Sequence, residues 1–160
     1  MCGGNNNPTP PIGRPITITL TVNASALYNA DPQPTTQTEL DTYCSLSDDN
    51  TVLRGGRIPP NGTLNDYTTQ VYSANTVSWV GVNNGDAGYR VLIDSISNNP
   101  TFFASDPPGN SGRVTAALKD GINGLIDTYT IGFTIDAPGS QELNPPKSYP
   151  LDPKLQGNPK

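Results

Sequence analysis

The chain has 160 residues, a net charge of −5 at neutral pH and a sequence pI near 4.4; a third of it is hydrophobic and only 14% is charged. It contains no histidine and only two cysteines, Cys2 and Cys44; this removes the usual general base, the commonest metal ligand, any Ser-His or Cys-His nucleophilic pair and an intrachain cysteine zinc site. No Lys/Arg run is present to neutralise phosphates, which argues against nucleic acid as a partner, and no apolar run approaches the length of a membrane-spanning helix.

Residues 1–15 are small, polar and proline-rich, and are expected to form a flexible N-terminal tether. Order is expected to begin at ITITLTV, where Ile16, Ile18, Leu20 and Val22 alternate with Thr17, Thr19 and Thr21, the period of a strand with one buried and one wet face. A long polar connection follows over 23–41, with a helical turn near Ser25 to Tyr28. Strands are expected near Tyr43 to Leu46 and Tyr67 to Tyr72, with SDDN (47–50) as a turn before Thr51 to Arg54 and with Gly55, Gly56, Pro59, Pro60, Asn61 and Gly62 as loop punctuation.

The clearest block comes next. TVSWVGV (76–82) and YRVLIDSI (89–96) are joined by a short Asn/Gly/Asp segment and are expected to form a hairpin. RVTAAL places Val114, Ala116 and Leu118 in phase, and DTYTIGFTI does the same for Tyr129, Ile131, Phe133 and Ile135. A last short strand is expected near Tyr149 to Leu151. With Gly and Pro making 33 of 160 residues and no helical period sustained over three turns, these elements predict a single all-β domain, a β-sandwich of seven or eight short antiparallel strands. The domain is expected to cover 16–155, with a C-terminal tail over 156–160.

Three stretches resemble the PixA/AidA-type inclusion-body proteins: ITITLTVNASALYNADPQPT, NTVSWVGVNNGDAGYRVLI with its lone tryptophan, and TYTIGFTI followed by SYPLDPKL. The resemblance covers about a third of the chain. It implies a compact β-sandwich that accumulates or assembles, with no catalytic residues to carry over. Leu151 precedes Asp152-Pro153 where that family usually has tryptophan, and the family lacks a Cys-Gly-Gly-Asn leader. CGGNNNPTPP in turn resembles the mature start of a bacterial lipoprotein, with Met1 standing where a signal peptide was removed. That resemblance implies that Cys2 carries the lipid anchor and that the domain faces outward from a bacterial cell surface or outer membrane. A dozen flexible residues would span about 20 Å, enough to clear a headgroup layer.

The candidate sites are few. Cys2 could instead form a disulfide with Cys44, or link two chains; the favoured assignment is an acylated Cys2 and a buried, structural Cys44. Asp48, Asp49 and Asp86, with Asn50, Asn83 and Asn84, offer hard oxygens that calcium would accept, although Asp and Asn in such turns more often bond their own backbone. Trp79 is expected in the core rather than stacked on a sugar, which leaves Tyr67 and Tyr72 as the surface aromatics. Glu39 and Glu142 are the only glutamates, and the sequence holds no GxSxG, SxxK, phosphate-binding loop or dinucleotide fingerprint.

The expected function is therefore a non-enzymatic structural subunit without a cofactor, partnering itself or other surface proteins. Strand addition in trans could come from the segment before Ile16 or from SYPLDPKLQ. The alternative is a tethered binding module for glycans or another ligand, using loops 23–41, 55–66 and 97–111.

Overall fold

The computed structural model describes residues 13–50, 64–97, 99–107, 109–110 and 112–159. Eleven strands are present among them. They are β1 (Ile16–Val22), β2 (Cys44–Asp48), β3 (Thr68–Tyr72), β4 (Thr76–Asn83), β5 (Arg90–Ser97), β6 (Gly109–Asn110), β7 (Arg113–Ala117), β8 (Ile126–Thr128), β9 (Thr130–Asp136), β10 (Lys147–Leu151) and β11 (Lys154–Asn158). Two five-residue helices, α1 (Ala24–Tyr28) and α2 (Gln37–Asp41), interrupt the loop between β1 and β2. The all-β class expected from the sequence holds. Thr51 to Arg54, after the expected turn, and most of loop 55–66 lie outside the described residues.

Three sheets form, with strand orders β2-β1-β4-β7-β6, β10-β9-β5 and β3-β11-β8. Buried side chains from all three join one core cluster. The alternation in β1 decides its faces: Ile16, Ile18, Leu20 and Val22 are buried, and the intervening threonines look outward. Val77 and Trp79 continue the inner face on β4, as do Val114 and Ala116 on β7. Leu118, just beyond β7, is buried in the same phase.

The sheets are mixed rather than wholly antiparallel. β1 runs parallel to β4 with Ile18 beside Trp79, and β11 runs parallel to β3 with Gln156 beside Gln70. β4 and β5 do not form the expected hairpin. β4 pairs with β1 and β7, while β5 pairs with β9 in another sheet. Residues 84–89 therefore turn a corner between sheets. Gly81 makes the crossing feasible, because a Cβ there would lie 2.5 Å from the Val91 carbonyl oxygen.

A second change of sheet occurs at Tyr129, where the chain leaves β8, paired with β11, and enters β9, paired with β5 and β10. The predicted single strand over 127–135 is thus two strands of different sheets, although its inward phase is as expected: Tyr129, Ile131, Phe133 and Ile135 are all buried.

The C-terminal segment corrects two expectations. Residues 156–158 are no tail but the second half of β11, the central strand of its sheet. SYPLDPKLQ is consumed within its own chain as β10 and the start of β11, so it is no free strand for donation. Pro150 suits the outer edge of β10, since it has no N–H to offer a neighbour.

The two helices owe their ends to local side chains. Asn23 caps α1 by accepting from the Ala26 N–H at 3.3 Å, and Thr36 with Glu39 closes a capping box on α2.

Candidate functional site

Chemistry-bearing side chains are mostly turned to internal use. Trp79 is 1% exposed, as expected of a core residue, and its Nε1–H donates to the buried Tyr129 Oη at 3.0 Å. Both rings pack tilted or edge-on with their neighbours, Trp79 against Phe103 at 5.9 Å and against Tyr129 at 5.7 Å. Tyr67 and Tyr72 are not surface aromatics: each is 2% exposed. Tyr67 lies in phase with the buried Thr69 and Val71, and its phenol finds a partner by donating to Asp48 Oδ2 at 3.0 Å. Burial, with the Asp48 charge second, holds the Tyr67 phenol well above the ordinary range; burial does the same to Tyr129, against a lowering by the Trp79 bond.

The acidic turns divide between two places. Asp48 accepts from the Asn50 N–H at 3.0 Å through Oδ1, and Asp49 accepts from the Thr17 N–H at 2.9 Å. Arg14 lies against Asp49 as well, donating to its carbonyl oxygen. Asp86 belongs to the opposite end of β1, where its N–H donates to Ser25 Oγ at 2.9 Å and its carbonyl accepts from Asn83 Nδ2. Asp48 is level with Ile18, whereas Asn83 is level with Val22. At about 3.3 Å per residue the two turns are separated by at least about 13 Å. The structure does not bring Asp48, Asp49 and Asp86 together, and among the described residues no three carboxylates, cysteines or histidines group as a metal site would require.

Cys44 is half-buried beside the core and is pushed up to about 12 by burial, with the Asp41 charge adding to the effect. It is therefore a neutral, unreactive thiol at physiological pH. Cys2, and with it any bridge to Cys44 and any lipid, lies outside the described residues.

The loop 28–43 forms a polar cluster that ties distant segments together. Gln33 Nε2 donates to the carbonyls of Leu27, Tyr28 and Ala30 while its Oε1 accepts from Tyr149 Oη at 2.8 Å. Lys147 Nζ donates to the Tyr28 carbonyl at 2.8 Å and sits 4.3 Å from the centre of the Tyr28 ring. A shallow cleft of about 250 Å³ opens beside this cluster, lined by Pro32, Gln33, Pro34, Thr35, Thr42 and Tyr43. Glu39 reaches the cleft too, but its carboxylate is spent on the N–H groups of Thr35 and Thr36, which lower its pKa. No nucleophile and base face each other here.

Loop 97–111, expected to be a ligand loop, is partly core. Phe102 and Phe103 are buried, and Asn99 fixes the turn beneath them by accepting from the Phe102 N–H at 2.9 Å and donating to the Thr128 carbonyl. Neither phenylalanine lies in a strand, so period-2 alternation gave no signal for them.

The outward faces of the sheets differ in character. That of β10-β9-β5 carries Asp94, Arg90 and Asp136, the last two paired at 2.7 Å. That of β3-β11-β8 carries a ladder of side-chain amides, with Gln70 donating to Gln156 at 2.8 Å and Asn158 donating to Gln70 at 2.9 Å. That of β2-β1-β4-β7 presents serines, threonines and valines.

No protein-family model matches the chain, and no curated protein matches it either. Among solved structures it is similar to the inclusion body protein PixA from Burkholderia cenocepacia J2315, at 12% identity and a TM-score of 0.58, covering 92% of this chain and 96% of that one. A match to the multicopper oxidase Fet3p, at 11% identity and a TM-score of 0.31 over 27% of that chain, is too loose to carry an argument. The shared feature is the fold: the chain is built like the PixA inclusion body protein along nearly its whole length.

Proposed function

We infer that the protein is a non-enzymatic structural subunit that associates with copies of itself, held at a bacterial surface through a lipid on Cys2. The observation that carries the structural role is the likeness of fold to a protein described as an inclusion body protein, extending over 92% of the chain. The committed state of the side chains supports it: the buried phenols and the thiol stay protonated, and the carboxylates of Asp48 and Asp49 bond their own chain. The surface address rests on the Cys-Gly-Gly leader alone.

Static light scattering from micromolar to millimolar protein, with and without reductant, tests the association. Growth in mass that ignores reductant supports it, and a constant monomer mass defeats it. For the anchor, a native precursor without an apolar segment ending just before Cys2 would remove the lipid.

A second role as a glycan-binding module is favoured only by the cleft beside Tyr43. A glycan screen with no binder would leave that role without support.

A further inference from the structure

We propose that the outward face of the β2-β1-β4-β7 sheet is the surface through which two copies of this chain meet. The inference rests on the structural-subunit role and names the surface that role would use.

The register places small uncharged side chains beside one another across four strands. Thr19 stands between Ser47 on β2 and Val80 on β4, and Thr21 stands between Ser45 and Val82. A further row runs from Thr17 through Ser78 to Thr115 on β7, the last two with hydroxyls 2.8 Å apart, while the row of Thr19 and Val80 ends on β7 at Arg113. Val82, 44% exposed, is an apolar residue left on this face. No bulge interrupts the pairing of β1 with β2 or β4, whereas the β5–β9 pairing shifts between Ile93 and Ser95. The result is an even surface without long side chains at its centre, which another sheet can approach closely.

Charge selects the occupant. The chain carries −5, so two copies repel each other on average. Along the paired positions of this face there is no carboxylate, and the charged groups stand at its margins: Arg113 on β7, and Asp49 offset by Arg14 beyond Thr17. The outer face of β10-β9-β5, with Asp94 and the Arg90–Asp136 pair, offers no such neutral ground. A nucleic acid or acidic lipid surface would need basic groups that this face lacks. A second identical face needs none.

Area sets the strength. Four strands about 4.8 Å apart and some six residues long make a face of roughly 400 Å², so a pair buries roughly 800 Å², below the roughly 1,200–2,000 Å² of stable complexes. The contact is therefore weak and forms where the protein is concentrated. Identical faces related by a two-fold axis close at two copies, so this face yields dimers and any larger assembly needs a second contact.

Sedimentation velocity from micromolar to millimolar protein tests the proposal on the wild type, on Thr19→Lys at the centre of the face and on Ser148→Lys on the outer side of β10. Circular dichroism and melting temperature establish that each variant is folded. The expected result is a wild type that moves from monomer to dimer, a Ser148→Lys that follows it, and a Thr19→Lys whose dimerisation is weakened at least about tenfold by like charges brought together. Equal dimerisation of Thr19→Lys and wild type overturns this face while leaving self-association intact. A wild type that stays monomeric throughout overturns both.

Discussion

The Nε1–H of Trp79 donates to Tyr129 Oη at 3.0 Å, both residues being 1% exposed. Trp79 lies on β4 and Tyr129 at the point where the chain passes from β8 to β9, so this bond ties the five-stranded sheet to the junction of the other two. Removing the phenol hydroxyl leaves a buried indole N–H without a partner, which costs about 1–3 kcal/mol. Tyr129→Phe is expected to lose that much stability in urea unfolding, with β-sheet content unchanged. Because Trp79 is the chain's only tryptophan, its emission reports directly: acrylamide should quench native wild type weakly and the unfolded chain strongly.

Gly81 sits where β5 crosses β4. A methyl group there would come within 2.5 Å of the Val91 carbonyl oxygen and 2.7 Å of the Val91 side chain. Backbone has little room to yield, so Gly81→Ala is expected to destabilise the fold by about 1–3 kcal/mol. Gly121→Ala is a poor control for this, because Gly121 has a positive φ of 73° and carries its own backbone cost. Thr115→Ala, on the exposed face of β7, is the better comparison and should change stability little.

Alkaline pH should weaken the fold in a defined window. Cys44 is held up to about 12 from 9.0, chiefly by burial and then by Asp41. Tyr149 is held up to about 12 from 10.0, chiefly by burial and then by Tyr28 and Cys44. Both groups are neutral in the fold and ionise first in the unfolded chain. Below pH 9 their contribution is complete. Above it the unfolded chain binds fewer protons than the folded one, so stability falls with rising pH until the folded groups ionise as well. Melting temperature is expected to drop from about pH 9 to pH 12, with Cys44→Ala removing the earliest part of the fall.

Calcium should leave the protein unchanged. The carboxylates of Asp48 and Asp49 bond backbone N–H groups at one end of β1, and Asp86 lies at the other. Melting temperatures in millimolar calcium and in chelator are expected to coincide. An upward shift with calcium would show that loops close around an ion.

The faces of the strands were legible in the sequence and their partners were not. Alternation in ITITLTV and in the run from Tyr129 to Ile135 told which side chains go inward, because that period is a local property. The parallel β1–β4 pairing, the corner at Gly81 and the change of sheet at Tyr129 depend on contacts far apart in sequence, which local patterning does not encode. Tyr67 and Tyr72 were misplaced on the surface for a related reason. A tyrosine is buried when its hydroxyl finds a partner, and the partners, Asp48 for Tyr67 and Asn50 for Tyr72, belong to a distant turn whose oxygens had a rival explanation in calcium. The even, uncharged sheet face was invisible until the register set Thr19 beside Ser47 and Val80.

The claim that copies meet on this face is tested most directly by amide proton–nitrogen spectra of labelled protein at low and high concentration. The account predicts concentration-dependent shifts centred on Thr17 to Thr21, Ser45 to Ser47 and Ser78 to Val82, with loop 28–43 unmoved. Shifts concentrated in that loop, or spectra that do not change at all, would contradict it.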